Sequence, residues 1–312
     1  MNKISRMVHA GGFCFKAFGI TFGVRTNQPT ELERIEHLLP PGSTLTTKGI
    51  VDRLYSFVIQ KRESRPGVHH FHLLFGNSQM LARTESLADL MDIFESDVNF
   101  HIATTTSRRF FVHAGVVAWK GKAIVIPGRS HTGKTTLVKE FLRQGASYYS
   151  DEFAVFDSRG HVQPFAKALS IRDDRTQQQT RISAEQFGCP VGIKPLRIEF
   201  VLLTQYQKTA RWRPRNTSRG QAVLHLLQNS FSIRKKPEAA LAFAEAAVRN
   251  ATILTGVRGE AEEVVRSVLS GTSSQLNRDG TNQIIQPQGE SHGPQREHQA
   301  EAVGNAFAGS TR

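Results

Sequence analysis

Residues 128–135 read Gly128-Arg129-Ser130-His131-Thr132-Gly133-Lys134-Thr135, a match to the pattern GxxxxGK[ST]. The chemistry of that spacing is anion capture. Gly128 and Gly133 let the backbone turn so that successive N–H groups point inward at phosphate oxygens. A helix predicted from Lys134 would present its unpaired N–H groups and positive dipole end to the same anion. Lys134 has the reach for β- and γ-phosphates, and the Thr135 hydroxyl is a ligand type suited to Mg²⁺. Chance alone produces the bare pattern in about one chain of this length in a hundred, so the flanks decide. Here an apolar strand, Ile124-Val125-Ile126, precedes the loop and an apolar-striped helix follows it. The expected ligands are ATP and Mg²⁺, held by Gly128, Arg129, Ser130, His131, Thr132, Gly133, Lys134, Thr135 and Thr136.

Asp151-Glu152 begins 17 residues after Lys134 (151 − 134), past one helix and one short strand. That path returns the chain to the loop's end of a sheet. One carboxylate there could hold Mg²⁺ and a second could take a proton from an attacking hydroxyl. On a regular strand, adjacent residues point to opposite faces, so the two converge only if the strand ends at them. An ordinary acidic turn has the same spacing. His113 lies in the apolar strand FFVHAGVV, where a histidine is commonly a satisfied core or edge residue. The His69-His70-Phe71-His72 group has no acidic or Cys partner nearby and reads as solvated strand histidines rather than a metal site.

The elements needed to position these residues can be read around them. Residues 1–105 form a small α/β unit. FKAFGITFGV reads as a strand, ELERIEHLL as a helix stopped by Pro40-Pro41-Gly42, LYSFVIQ and HHFHLLF as strands, and a helix starts near Ser86. Residues 106–270 carry the loop. FFVHAGVVAW and AIVIP are strands joined at Lys120-Gly121-Lys122, and the loop helix ends at Gly145. AVFD and VQPF form a hairpin, LRIEFVLLT a buried strand, RGQAVLHLLQNSF and PEAALAFAEAAVRN helices, TILTGV a last strand and EAEEVVRSVL a last helix. Residues 271–312 are Gly-, Gln- and Ser-rich and read as a disordered tail.

The chain of 312 residues carries a formal net charge of +13, which favours acidic partners. No basic helix with interleaved aromatics stands out, which argues against nucleic acid. Cys14 and Cys189 are far apart without CxxC partners, which points to reduced thiols and a cytoplasmic setting. No apolar run is long enough for a membrane span.

His113-Ala-Gly-Val, then Gly-Lys-Ala-Ile-Val-Ile-Pro-Gly128…Gly133-Lys134-Thr135, then Gly145-Ala-Ser-Tyr-Tyr-Ser-Asp151-Glu152 resemble the C-terminal catalytic domain of HPr kinase/phosphorylase. The likeness spans about residues 110–175. It implies a P-loop α/β kinase domain similar to that of HPr kinase and phosphoenolpyruvate carboxykinase, here with a small N-terminal α/β domain. It implies transfer of the ATP γ-phosphoryl group to a serine, with Lys134 and Thr135 on phosphate and Mg²⁺. Asp151 and Glu152 would serve as base and metal-linked carboxylate, and His113 would lie beside the phosphates. It raises the expectation of a homo-oligomer. Three departures matter. Glu152 stands where the family has Asp, Gln144-Gly145 where it has Arg-Gly, and the segment Glu-x-Arg-Gly-Leu-Gly-Ile is missing. Leu169-Ser170-Ile171-Arg172 occupies that stretch, with Arg172 the candidate cation. The losses remove the basis for expecting reverse phosphorylase activity or recognition of the HPr carrier.

Two other readings stay open beside a serine/threonine kinase acting on a protein or peptide. One is an ATP-binding regulatory or scaffold module with little transfer. The other is a small-molecule kinase or ATPase.

Overall fold

The segment expected as one strand over residues 15–24 is a hairpin. Strand β1 (Gly11–Ala17) and strand β2 (Ile20–Thr26) pair antiparallel across Phe18 and Gly19, which have φ of 51° and 87°. Two successive positive φ values fold the chain back with the twist that paired strands need. The aromatic pattern hides this turn, because Phe18 looks like one more strand residue. A computed structural model describes residues 9–47, 49–60, 69–129, 132–172, 179–182 and 185–281.

Helix α1 (Leu32–Glu36) and β3 (Thr44–Thr46) lead to β4 (Arg53–Val58), which lies parallel to β2. Strands β5 (His72–Gly76) and β6 (Gln79–Thr84) complete a sheet of order β3-β1-β2-β4-β5-β6. Helix α2 (Leu87–Thr105) starts at Ser86, whose hydroxyl accepts the Asp89 N–H and satisfies one free donor of the first turn. Leu90, Phe94, Val98 and Ile102 recur every fourth residue and are buried. Each contributes roughly 1.5–3 kcal/mol of burial. They pack with Phe15, Phe22, Tyr55 and Phe57, and the same core takes in Phe111, Phe153 and Val155 from later strands and Phe165 from the segment after β11.

The second sheet has the order β11-β10-β7-β8-β14-β16-β15, with β9 beside β7. Its strands are β7 (Phe110–Trp119), β8 (Lys122–Pro127), β9 (Ser147–Ser150), β10 (Phe153–Phe156), β11 (Val162–Gln163), β14 (Ile198–Tyr206), β15 (Arg215–Asn216) and β16 (Thr252–Arg258). A separate hairpin joins β12 (Leu169–Arg172) to β13 (Gln179–Ile182). Strands β8, β14 and β16 run parallel, so their C-terminal ends, at Pro127, Tyr206 and Arg258, share one edge. Crevices outside such strand ends are where open α/β sheets bind ligands.

Helices cover both faces, which makes the chain a mixed α/β protein. Helix α3 (Lys134–Arg143) and α6 (Ala261–Thr281) bury Leu137, Val138, Phe141, Val264 and Val268 on one side. Helices α4 (Arg219–Gln228) and α5 (Pro237–Val248) bury Ala222, Leu226, Ala240 and Ala244 on the other. Gly115 allows the close approach of α3 to the sheet, since a Cβ there would lie 2.7 Å from Val138 Cγ2. Helix α6 continues past the expected stop near residue 269 and through Gly271. Once its first turns are packed, each added residue costs little. Residues Met1–Leu269 form one compact unit and Ser270–Arg312 a second. Of the tail predicted from 271, residues 282–312 lie outside the described residues. Among the described residues, no helix is long and apolar enough to cross a membrane.

Candidate functional site

The loop leaves β8 at Pro127 and enters α3 at Lys134, between two anchors. At its start, the Gly128 N–H donates to the His113 carbonyl at 3.1 Å, tying it to the neighbouring strand β7. The Thr132 hydroxyl donates to the Arg129 carbonyl at 2.8 Å and closes the loop on itself. At its end Gly133 has φ of 79°, a conformation that side chains disfavour, and a Cβ there would collide with the Arg258 guanidinium. Ser130 and His131, both predicted ligand residues, lie outside the described residues. Thr135 is half-buried and Thr136 exposed at the head of α3, which has no side-chain cap and no acidic residue in its first turn.

Lys134 is 6% exposed, and its ammonium donates to the Arg129 carbonyl at 2.7 Å. Burial pulls its pKa down to about 8, against the opposing pull of Asp151 and Glu152. His113 is lowered to about 4, first by burial and then by the Lys134 charge, so its ring is neutral at pH 7. Its neighbours Val112 and Ala114 enter the core under α4 and α5. Strand alternation therefore turns His113 to the α3 face, where Lys134 lies.

Asp151 and Glu152 meet the condition that a strand break imposes. Strands β9 and β10 both pair with β7, at Ser150↔Val116 and Phe153↔His113, and the two acids fill the bend between them. The Ser150 hydroxyl accepts the N–H groups of Glu152 and Phe153 at 3.3 and 3.0 Å, which turns the chain. The Glu152 carbonyl accepts the Ala114 N–H at 3.2 Å and holds the bend against β7. Asp151 is 9% exposed, with Oδ1 3.2 Å from the Tyr148 hydroxyl; Glu152 is exposed. Both carboxylates act on Lys134. Arg172 closes β12 in register with Gln179.

Sequence reasoning missed Arg258. It ends β16, is 2% exposed, and donates to the carbonyls of Gly133 at 3.0 Å, Thr132 at 3.4 Å and Gly259 at 3.1 Å. Its Nε is buried without a partner. Its place at the end of a strand carries no signal of its own, since an arginine there is usually solvated. A cavity of about 490 Å³ opens beside the loop, between Gly128, Arg129 and Thr132 on one wall and Gln205, His225 and Thr255 on others.

These features fit a polyphosphate. Two buried cations donate their hydrogen bonds to backbone carbonyls beneath an uncapped helix end, and burial outweighs the nearby carboxylates and the Tyr206 ring under Arg258, an arrangement whose desolvation cost an anion offsets. Among the described residues no group of three or more His, Cys, Asp and Glu could cage a metal. Mg²⁺ binds with few protein ligands, completing its shell with phosphate oxygens and water, and the Thr135 hydroxyl and Asp151 carboxylate are donor types it accepts.

No protein-family model and no curated protein matches the chain. Among solved structures, it is similar to the Hpr(Ser) kinase/phosphatase from Coxiella burnetii, with 9% identity and a TM-score of 0.30 over 55% of this chain and 94% of that one. Agreement at that level does not establish a shared fold.

Proposed function

We propose that the chain is an ATP-dependent kinase that transfers the γ-phosphoryl group to a serine or threonine hydroxyl of a protein or peptide. The observation that carries this reading is the bend between β9 and β10, which holds Asp151 and Glu152 against the same His113–Ala114 stretch of β7 that anchors the loop at Gly128, with both charges acting on Lys134. A site built only to bind phosphate needs cations and N–H donors. A carboxylate pair brought to the same lysine adds a group able to take the proton of an attacking hydroxyl. Bound ATP supplies the phosphoryl group, and Mg²⁺ offsets its charge. The chain's residues do the rest. Lys134 and the N–H groups heading α3 hold phosphate oxygens. The Thr135 hydroxyl and an Asp151 oxygen would hold Mg²⁺. The carboxylate not committed to the metal accepts the proton, and neutral His113 offers a hydrogen bond without adding charge.

A second reading has one observation behind it. Glu152 is exposed and one methylene longer than aspartate, and a poorly placed base loses rate steeply. An ATP-binding regulatory module with slow transfer would keep the loop and tolerate that change. Incubating the chain with γ-labelled ATP and extract of its native host separates the two. A labelled protein that disappears with Lys134→Ala and with Asp151→Asn is the expected result. Binding of ATP with water as the sole phosphate sink would overturn the kinase reading.

A further inference from the structure

The acceptor remains to be named, and the surface beside the site is charged in a way that selects one. Residues 200–237 contain eight Lys or Arg and no Asp or Glu. Five of these cations, Lys208, Arg211, Arg213, Arg215 and Arg219, lie on the connection from β14 through β15 to α4, and all five are exposed. None of the five forms an ion pair among the described residues.

The connection is pinned rather than loose. Trp212 is buried, and its backbone N–H donates to Glu263 Oε2 at 3.0 Å. Its ring lies against Gly256, where a Cβ would sit 2.9 Å from it. With Trp212 turned inward, Arg211 and Arg213 on either side face solvent. Arg215 follows on the edge strand β15, in register with Thr255 of β16. Thr255 also lines the cavity that reaches the loop. The basic edge and the phosphate loop are therefore two ends of one continuous surface.

A merely solvated basic face would interleave acids, as α6 does with its Glu262–Arg266 pair one turn apart. Here five cations stand together with no ion pair among the described residues and with the Glu263 carboxylate taken up by the Trp212 backbone, which costs stability in the free protein and favours an acidic partner. Single-stranded nucleic acid fits less well. Such platforms expose successive aromatic rings for base stacking; here Trp212 is buried, and Tyr206, the exposed aromatic at the start of the connection, already stacks with Arg258.

We propose that the Arg211–Arg219 edge docks an acidic peptide segment, so that the acceptor is a serine or threonine close to Asp or Glu residues; this rests on the phosphoryl-transfer reading above. The peptide crosses β15 and β16 and delivers its hydroxyl along the cavity to the loop. The hydroxyl oxygen bonds to the γ-phosphorus as the bond from that phosphorus to the β–γ bridging oxygen breaks. The hydroxyl proton passes to the Asp151–Glu152 pair, and the nucleoside diphosphate leaves with the bonding electrons.

Fluorescence anisotropy with the full chain tests the docking surface without requiring transfer. The probes are a labelled serine peptide flanked by glutamates and the same peptide flanked by lysines. The glutamate peptide is expected to bind, more weakly at high salt, and the lysine peptide to stay free. Reversing three charges together, Arg211→Glu, Arg213→Glu and Arg215→Glu, should weaken the glutamate peptide about tenfold or more. Glutamine at the same positions should give a smaller loss. Circular dichroism and binding of a fluorescent ATP analogue should not change. Equal binding of both peptides, no binding, or indifference to both sets of substitutions would overturn the proposal. So would tighter binding of single-stranded RNA or of phosphatidylserine vesicles than of the glutamate peptide. A glutamate peptide that binds but is never labelled by γ-labelled ATP would sink the kinase reading and leave the docking surface standing.

Discussion

The two sheets handle buried cations in opposite ways. In the first, Arg53 donates to Asp97 Oδ2 at 2.7 Å and to the Tyr55 hydroxyl at 3.0 Å, and that hydroxyl donates to the same Asp97 oxygen at 2.6 Å. Burial alone would lower the Arg53 pKa, but Tyr55 and Asp97 outweigh it and raise it. In the second, Lys134 and Arg258 form no ion pair among the described residues and rest on carbonyls. There burial wins, and both are lowered. A cation closed into a pair needs nothing further and serves the fold. Under the reading proposed above, a cation whose hydrogen bonds go to carbonyls is held ready for an anion from outside. That difference separates structural charge from binding charge more sharply than exposure does, since all three side chains are largely buried.

The largest expected effect comes from Lys134→Met. Removing the ammonium should weaken binding of a fluorescent ATP analogue and cut any transfer by about 10²–10³. The same change should raise the melting temperature of the nucleotide-free protein, because it removes a poorly compensated buried charge. Calorimetry without nucleotide reads the second effect. A fall in melting temperature with unchanged nucleotide affinity would make Lys134 a structural residue and erase the contrast.

Next is a pH effect at His113. Its pKa is about 4 in the folded chain against 6.5 for the free side chain. Between those values the unfolded chain binds a proton that the folded chain does not, so stability falls as pH drops from about 6.5 through about 4. The full shift corresponds to about 3 kcal/mol at the acid end, and the partial exposure of the ring reduces the loss to about 2 kcal/mol. Urea unfolding from pH 7 to pH 4 measures it, and His113→Asn should flatten that limb. An unchanged limb in the variant would place the ring in water rather than against the loop.

Much of the site could be read from residue types alone, for a physical reason. A glycine-rich turn between a strand and a helix is local, so Gly128, Gly133, Lys134 and Thr135 carry their own geometry within eight positions. The Asp151-Glu152 bend was half readable. The spacing predicts two acids past one helix and one strand, but only the break between β9 and β10 places both in a bend beside β7. Arg258 was out of reach because its partner carbonyls lie 125 and 126 positions away along the chain, and an arginine closing a strand looks like any solvated end. The turn at Phe18-Gly19 and the extension of α6 to Thr281 escaped for a related reason. Positive φ at an aromatic residue and continuation of a packed helix leave no mark in apolar periodicity.

The smallest expected effect tests the structural side of the contrast. Arg53→Met removes the cation from the Arg53–Tyr55–Asp97 cluster and leaves the Asp97 carboxylate partly buried with the tyrosine alone. Breaking a fully buried pair costs several kcal/mol. Here the Arg53 and Asp97 side chains keep 15% and 23% exposure, and solvent reduces the loss to about 2 kcal/mol. Denaturant melts should register that loss with an unchanged slope, and affinity for the ATP analogue should stay at the wild-type value. Adding Asp97→Leu to Arg53→Met should recover part of the loss, since it removes the orphaned carboxylate. If Arg53→Met instead weakened nucleotide binding as strongly as it weakened the fold, paired and carbonyl-held cations would not be doing different jobs.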